Sequence, residues 1–129
     1  MADKLTRVLY VEDEPDIQMV ARLALEAVGG FTVEICSSGQ EALERAPVFQ
    51  PQLILLDVMM PVMDGPTTFK SLRDMPQFAN TPVVFMTARV QPNEVEEYKK
   101  LGALDVIPKP FDPMKLSNQV QAIWERHSV

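Results

Sequence analysis

The chain has 129 residues, 47% of them hydrophobic, and a formal net charge of −6. A domain of that length buries about two-thirds of its unfolded surface, no apolar run approaches the ~18 residues needed to cross a bilayer, and the acidic balance disfavours phosphate backbones and anionic membrane surfaces. The charged start Met1-Ala2-Asp3-Lys4 is unlike a secretory signal, so the sequence predicts a cytoplasmic protein that binds neither nucleic acid nor membrane directly.

Residues 6–11 read as a first strand, with Asp13 as the N-cap of a helix and Pro15 in its first turn. Ile17, Val20, Ala21, Ala24 and Val28 follow helical spacing and predict one apolar stripe against a sheet, and Gly29-Gly30 supplies the stop. Residues 31–36 form a second strand. The lone Cys36 on it excludes an internal disulfide and, beside Val33 and Ile35, reads as a buried structural thiol. Ser37 or Ser38 caps a short helix through Ala42, Leu43 and Ala46 that ends at Pro47. Residues 52–56 are a third strand, apolar without alternation and hence covered on both faces.

Residues 59–65 form a loop, and Pro66 opens a helix carrying Phe69, Leu72 and Met75. Asp64 and Gly65 fit a turn, with Gly65 expected at positive φ. Residues 82–86 are a fourth strand. Pro92-Asn93 then opens a helix with Val95, Tyr98 and Leu101 on one side, ended by Gly102. Residues 103–107 make a fifth strand, and Asp112-Pro113 caps a last helix bearing Leu116, Val120 and Ile123, near whose end His127 reads as a C-terminal cation. Five strands alternating with five helices through short connections predict an α/β fold: a five-stranded parallel sheet, doubly wound, with helices on both faces and no second domain.

Four apolar runs stop at residues suited to phosphoryl chemistry: 8–11 at Glu12 and Asp13, 53–56 at Asp57, 83–86 at Thr87, and 103–107 just short of Lys109. In a parallel sheet the carboxyl ends of the strands share one edge. The residues named therefore gather there as carboxylates, a hydroxyl and an ammonium, a set fitted to a divalent cation and a phosphoryl group.

The segments Val11-Glu12-Asp13-Glu14, Leu56-Asp57-Val58-Met59-Met60-Pro61-Val62-Met63-Asp64-Gly65, Met86-Thr87-Ala88 and Pro108-Lys109-Pro110-Phe111 together resemble the receiver domain of two-component response regulators. The resemblance covers essentially the whole chain, residues 1–129, as one receiver domain, and implies the flavodoxin-like strand order 2-1-3-4-5. It implies that Asp57 accepts a phosphoryl group from a phosphohistidine, donated by a histidine kinase or histidine phosphotransfer protein. It further implies that Glu12, Asp13, Asp57 and the backbone carbonyl of Met59 hold Mg2+, which relieves carboxylate repulsion and orients the phosphoryl oxygens. Thr87 and Lys109 would each complement charge on a phosphoryl oxygen. Glu14 and Asp16 belong instead to a solvated first helical turn.

Receivers often carry Tyr or Phe three residues before the lysine, and this chain has Val106 there. Switching coupled to Thr87 would then run through backbone and helix displacement around residues 90–100 and 106–111. The family's common cis bond after the lysine is permitted by Pro110. Met59 and Arg89, each two residues after a site residue, are expected to control water access and so the lifetime of the phosphoryl group. The implied role is a signalling switch that alters affinity for a downstream protein, catalysing only its own phosphorylation and dephosphorylation.

The chain could be a phosphorelay intermediate or a receiver excised from a larger regulator. A phosphatase of the haloacid dehalogenase type also uses an aspartyl phosphate, Mg2+, Thr or Ser, and Lys, but its nucleophile ends the first strand and a general-acid Asp follows two residues later; Asp57 ends the third, and Met59 follows. An inactive interaction module would have no chemical need for the full set of site residues.

Overall fold

Four consecutive apolar side chains, Leu53 to Leu56, are stable in a strand only with neighbours on both edges and helices on both faces. The computed structural model, which describes residues 4–127, gives them that place. Met1 to Asp3, where the chain start was read as charged and unlike a signal, lie outside the described residues, as do Ser128 and Val129. Strand β3 (Leu53–Asp57) is the centre of a parallel sheet, flanked by β1 (Arg7–Val11) and β4 (Val83–Thr87), with β2 (Thr32–Cys36) and β5 (Asp105–Pro108) at the edges. The order is β2-β1-β3-β4-β5, as the resemblance implied. Every side chain of β3 is buried, and each of its four aliphatic residues contributes roughly 1.5–3 kcal/mol by leaving water.

Helices α1 (Pro15–Arg22) and α5 (Leu116–His127) cover one face, while α2 (Gly39–Phe49), α3 (Gly65–Arg73) and α4 (Pro92–Leu101) lie on the other side. Strand side chains alternate between faces. Val8, Tyr10, Leu53, Leu55, Val84, Met86 and Ile107 pack with Ala21, Ala24, Leu25, Leu116 and Val120. The intervening residues Leu9, Val11, Ile54, Leu56, Val83 and Phe85 pack with Ala42, Ala46, Phe69 and Leu72.

Several local expectations give way to tertiary structure. Glu14 rather than Asp13 occupies the N-cap position of the first helix, with no side-chain capping bond, and the helix continues beyond Arg22 as a π-helical stretch, Leu23–Val28. The wider turn shifts the stripe, so Leu25 is buried and Val28 exposed, and Val20, in the regular helix before it, is exposed as well. Gly29 ends the stretch against α5, where a Cβ would lie 2.6 Å from that of Ser117. Ser38, not Ser37, caps α2 by accepting from the Glu41 amide. Pro47 does not end that helix; it sits in the last turn, and the stop comes at Gln50 in the left-handed region (φ 55°).

Other boundaries move for related reasons. Gln52 lies outside β3, and its side-chain oxygen accepts from the Thr6 and Arg7 amides. Met75 follows α3 and precedes a short 3₁₀ turn, Pro76–Phe78. On α4 no residue is buried, and Leu101 is exposed. The helix begins with a capping box between Gln91 and Glu94, and Gly102 ends it at φ 120°. Asp112 caps only a turn, its carboxylate accepting from the Met114 amide, and α5 itself starts at Leu116, later than the expected start at Pro113. No helix among the described residues is long and apolar enough to cross a membrane.

Candidate functional site

Parallel pairing brings the ends of β1, β3, β4 and β5 to one edge of the sheet. The Glu12 amide continues the ladder by donating to the Cys36 carbonyl at 2.9 Å, and the Val58 amide does the same to Met86 at 3.1 Å. The Lys109 amide donates to the Thr87 carbonyl at 2.9 Å. These bonds fix the residues just past each strand end before any side chain is considered.

Alternation then sets the facing. Glu12 follows the parity of Tyr10, Asp57 that of Leu55, and Lys109 that of Ile107, all on the side covered by α1 and α5. Lys109 Nζ lies 2.8 Å from Glu12 Oε1 and 3.1 Å from Asp57 Oδ1, while the Glu14 amide donates to Glu12 Oε2 at 3.2 Å. The side chains of Glu12 and Asp57 are 0% and 3% exposed, and that of Lys109 17%, so these are charges in a largely dry site. The Gln18 side-chain amide ties α1 to β1 by donating to the Glu12 carbonyl and to Ser37 Oγ. The Lys109–Pro110 peptide is cis.

Burial is the first cause pushing the Glu12 pKa above the ordinary carboxylate value, with Asp57 adding to the rise and Lys109 opposing it. For Lys109, burial pulls the pKa down, but the Glu12 and Asp57 carboxylates outweigh it and the ammonium is held above its ordinary value. Burial likewise pushes the Cys36 thiol up to about 12, consistent with a structural role.

Glu12, Asp13 and Asp57 each offer a carboxylate oxygen, all within 4.8 Å of one another. Three formal negative charges against one ammonium leave an excess of two, the charge of a divalent cation. The donors are hard oxygens, and Asp13 is half-buried, so the set fits Mg2+ in its chemistry and in its access to solvent.

Of the other predicted site residues, Thr87 is buried and its Oγ accepts from the Arg89 amide at 3.0 Å. Arg89 itself is exposed and, with Asn93, Glu94, Glu97 and Tyr98, lines an open pocket of about 410 Å³ at the start of α4. Met59 is 65% exposed beside Asp57 in sequence. Val106 is half-buried and level with Phe85 in the β4–β5 register, and Tyr98 stacks edge-on against Phe85 at 5.3 Å.

Gly65 is not at positive φ, contrary to expectation. It is glycine because a Cβ there would come 2.6 Å from the Asp57 carbonyl oxygen and 2.8 Å from Val58 Cα. Asp64 caps α3 by accepting from the Thr67 amide at 2.9 Å. The Gly65 amide donates to the Val58 carbonyl at 2.9 Å, which folds the loop back onto the end of β3. Gln18 and Tyr10 were not singled out by sequence. The signal for Tyr10 was its parity with Glu12, whereas Gln18 carried none.

A family model described as the response regulator receiver domain matches residues 8–121. The alkaline phosphatase synthesis transcriptional regulatory protein PhoP of Bacillus subtilis is 36% identical over 123 residues, 95% of this chain and 50% of that protein. The probable C4-dicarboxylate response regulator DctR of Halalkalibacterium halodurans is 34% identical over 110 residues, 84% of this chain and 47% of that one. The chain thus spans about half the length of the curated relatives it matches. Among solved structures, the chemotaxis response regulator CheY4 of Vibrio cholerae superposes with a TM-score of 0.85 at 32% identity, covering 93% of this chain and 99% of that one.

Proposed function

This chain belongs to the response regulator receiver family of two-component systems, and from that premise we propose that it is a phosphoryl-accepting switch modified on Asp57. The observation that carries the reading is Lys109 Nζ bridging Glu12 and Asp57 at 2.8 and 3.1 Å, inside a cluster whose three carboxylates converge. A carboxylate needs no base to attack. An Asp57 oxygen forms the bond to phosphorus as the bond to a histidine nitrogen of the donor breaks, and the departing imidazole takes its proton from solvent.

Glu12, Asp13, Asp57 and the Met59 carbonyl would hold Mg2+, which when bound supplies charge neutralisation for the phosphoryl oxygens. Lys109 turns its ammonium from the carboxylates to one phosphoryl oxygen, and Thr87 gives its hydroxyl to another, releasing the Arg89 amide it now accepts from. Arg89, joined to Thr87 by that bond, and exposed Met59 tune hydrolysis by limiting water access. With Val106 in place of a ring, the change at Thr87 passes along the chain into α4, altering affinity for a downstream protein. The donor is a histidine kinase or histidine phosphotransfer protein. The same chemistry serves a messenger, a relay intermediate or one domain of a longer regulator, acting in the cytoplasm.

Incubation with acetyl phosphate and Mg2+, followed by intact mass, tests the reading. Wild type should gain one phosphoryl group, and Asp57→Asn or an excess of chelator should abolish the gain. An Asp57→Asn protein modified to the wild-type extent would overturn it.

A further inference from the structure

Tyr10 is the largest fully buried side chain of the core, and its hydroxyl makes no hydrogen bond to any described residue. An unpaired buried hydroxyl is costly beside a phenyl ring of the same shape. A tyrosine in this place therefore calls for a task that phenylalanine lacks.

Strand geometry shows where the hydroxyl belongs. Tyr10 pairs with Leu55 in the β1–β3 register, and Glu12 and Asp57 stand one same-face step further along the two strands. The Tyr10 hydroxyl is therefore carried on the strand face that also bears both carboxylates.

Glu12 has two donors, Lys109 Nζ at 2.8 Å and the Glu14 amide at 3.2 Å, although an ionised carboxylate accepts about four hydrogen bonds. Lys109 is shared with Asp57 and, in the transfer described above, is drawn to a phosphoryl oxygen. Glu12, whose side chain is wholly buried, is then left with the one long bond from the Glu14 amide. We propose that Tyr10 is a positioning residue for phosphoryl transfer: as Lys109 leaves Glu12, the Tyr10 hydroxyl donates to the freed carboxylate and holds it in place for the cation. The inference rests on the phosphoryl-accepting reading of the site.

Proton NMR of the wild type, Tyr10→Phe and Lys109→Met tests it, with Mg2+ and beryllofluoride as the phosphoryl mimic. Wild type should gain a downfield, slowly exchanging hydroxyl resonance on adding the mimic, and Tyr10→Phe should lack it. Lys109→Met should show the resonance without the mimic, because its Glu12 is already free. Tyr10→Phe should also be phosphorylated about tenfold more slowly by acetyl phosphate, as expected for one lost hydrogen bond to a charged group. Its urea midpoint should not fall. A Tyr10→Phe protein that matches wild type in rate, with no hydroxyl resonance appearing in wild type, overturns the inference alone. A wild type that takes no phosphoryl group overturns the underlying reading as well.

Discussion

Glu12, Asp57 and Lys109 stand on the face covered by α1 and α5 and are locked together by contacts of 2.8 and 3.1 Å, whereas Thr87 and Arg89 lead into α4, a helix with no buried residue. Beneath the first group lie Ala21, Ala24, Leu25, Leu116 and Val120, all closely buried. Under α4 the half-buried Tyr98 packs on the core, edge-on against Phe85. The first group is held by a closely packed face, while the second leads into a helix that few buried contacts hold in place, as a segment that is cheap to move requires.

The largest effect should come from breaking the rigid half. Lys109→Met removes the one cation shared by two buried carboxylates, and the rate of phosphorylation by acetyl phosphate should fall about a hundredfold. Next, Gly65→Ala forces a methyl group against the Asp57 carbonyl and should lower stability by about 1–3 kcal/mol in urea unfolding. The loop carrying Met59 is pinned there, so phosphorylation should slow in the same variant.

Titration sharpens the contrast further. The folded-state pKa of Glu12 lies above its ordinary 4.5, so the folded protein holds that proton more tightly than the unfolded chain. Its contribution to stability is therefore most favourable at low pH and declines as pH rises from 4.5 through the folded value. In metal-free buffer the Glu12→Gln variant should lose that decline, read as a flatter dependence of urea midpoint on pH. Lys109 acts in a separate window: its contribution is present below 10.5 and fades as pH climbs through its raised folded value. The smallest effect belongs to the loose half. Tyr98→Leu gives up an edge-on aromatic pair, about 0.5–1.5 kcal/mol, and hydrogen exchange should speed up in α4 while the amides of β1 and β3 remain protected.

The same division governs what the sequence made legible. Strand ends were readable because each apolar run stops at a polar residue, and parallel pairing then leaves little freedom in where Glu12, Asp57 and Lys109 can go. The π-helical stretch at Leu23–Val28 was not readable, since Leu25 and Val28 are both apolar and only packing against α5 selects between them. Pro47 misled because a proline in the last turn removes a single hydrogen bond, which burial of Ala46 and the stop at Gln50 outweigh. Gly65 was recognised as a required glycine for the wrong reason: a through-space clash with β3 leaves no mark on local sequence.

Of the three converging carboxylates, Asp57 is the one proposed to take the phosphoryl group. Borohydride reduces an aspartyl phosphate to homoserine, so peptide mapping after treatment with acetyl phosphate, Mg2+ and then borohydride reads the acceptor directly. Homoserine is expected at position 57 alone; modification confined to Asp13, or reduction at no carboxylate of the site, would contradict the assignment.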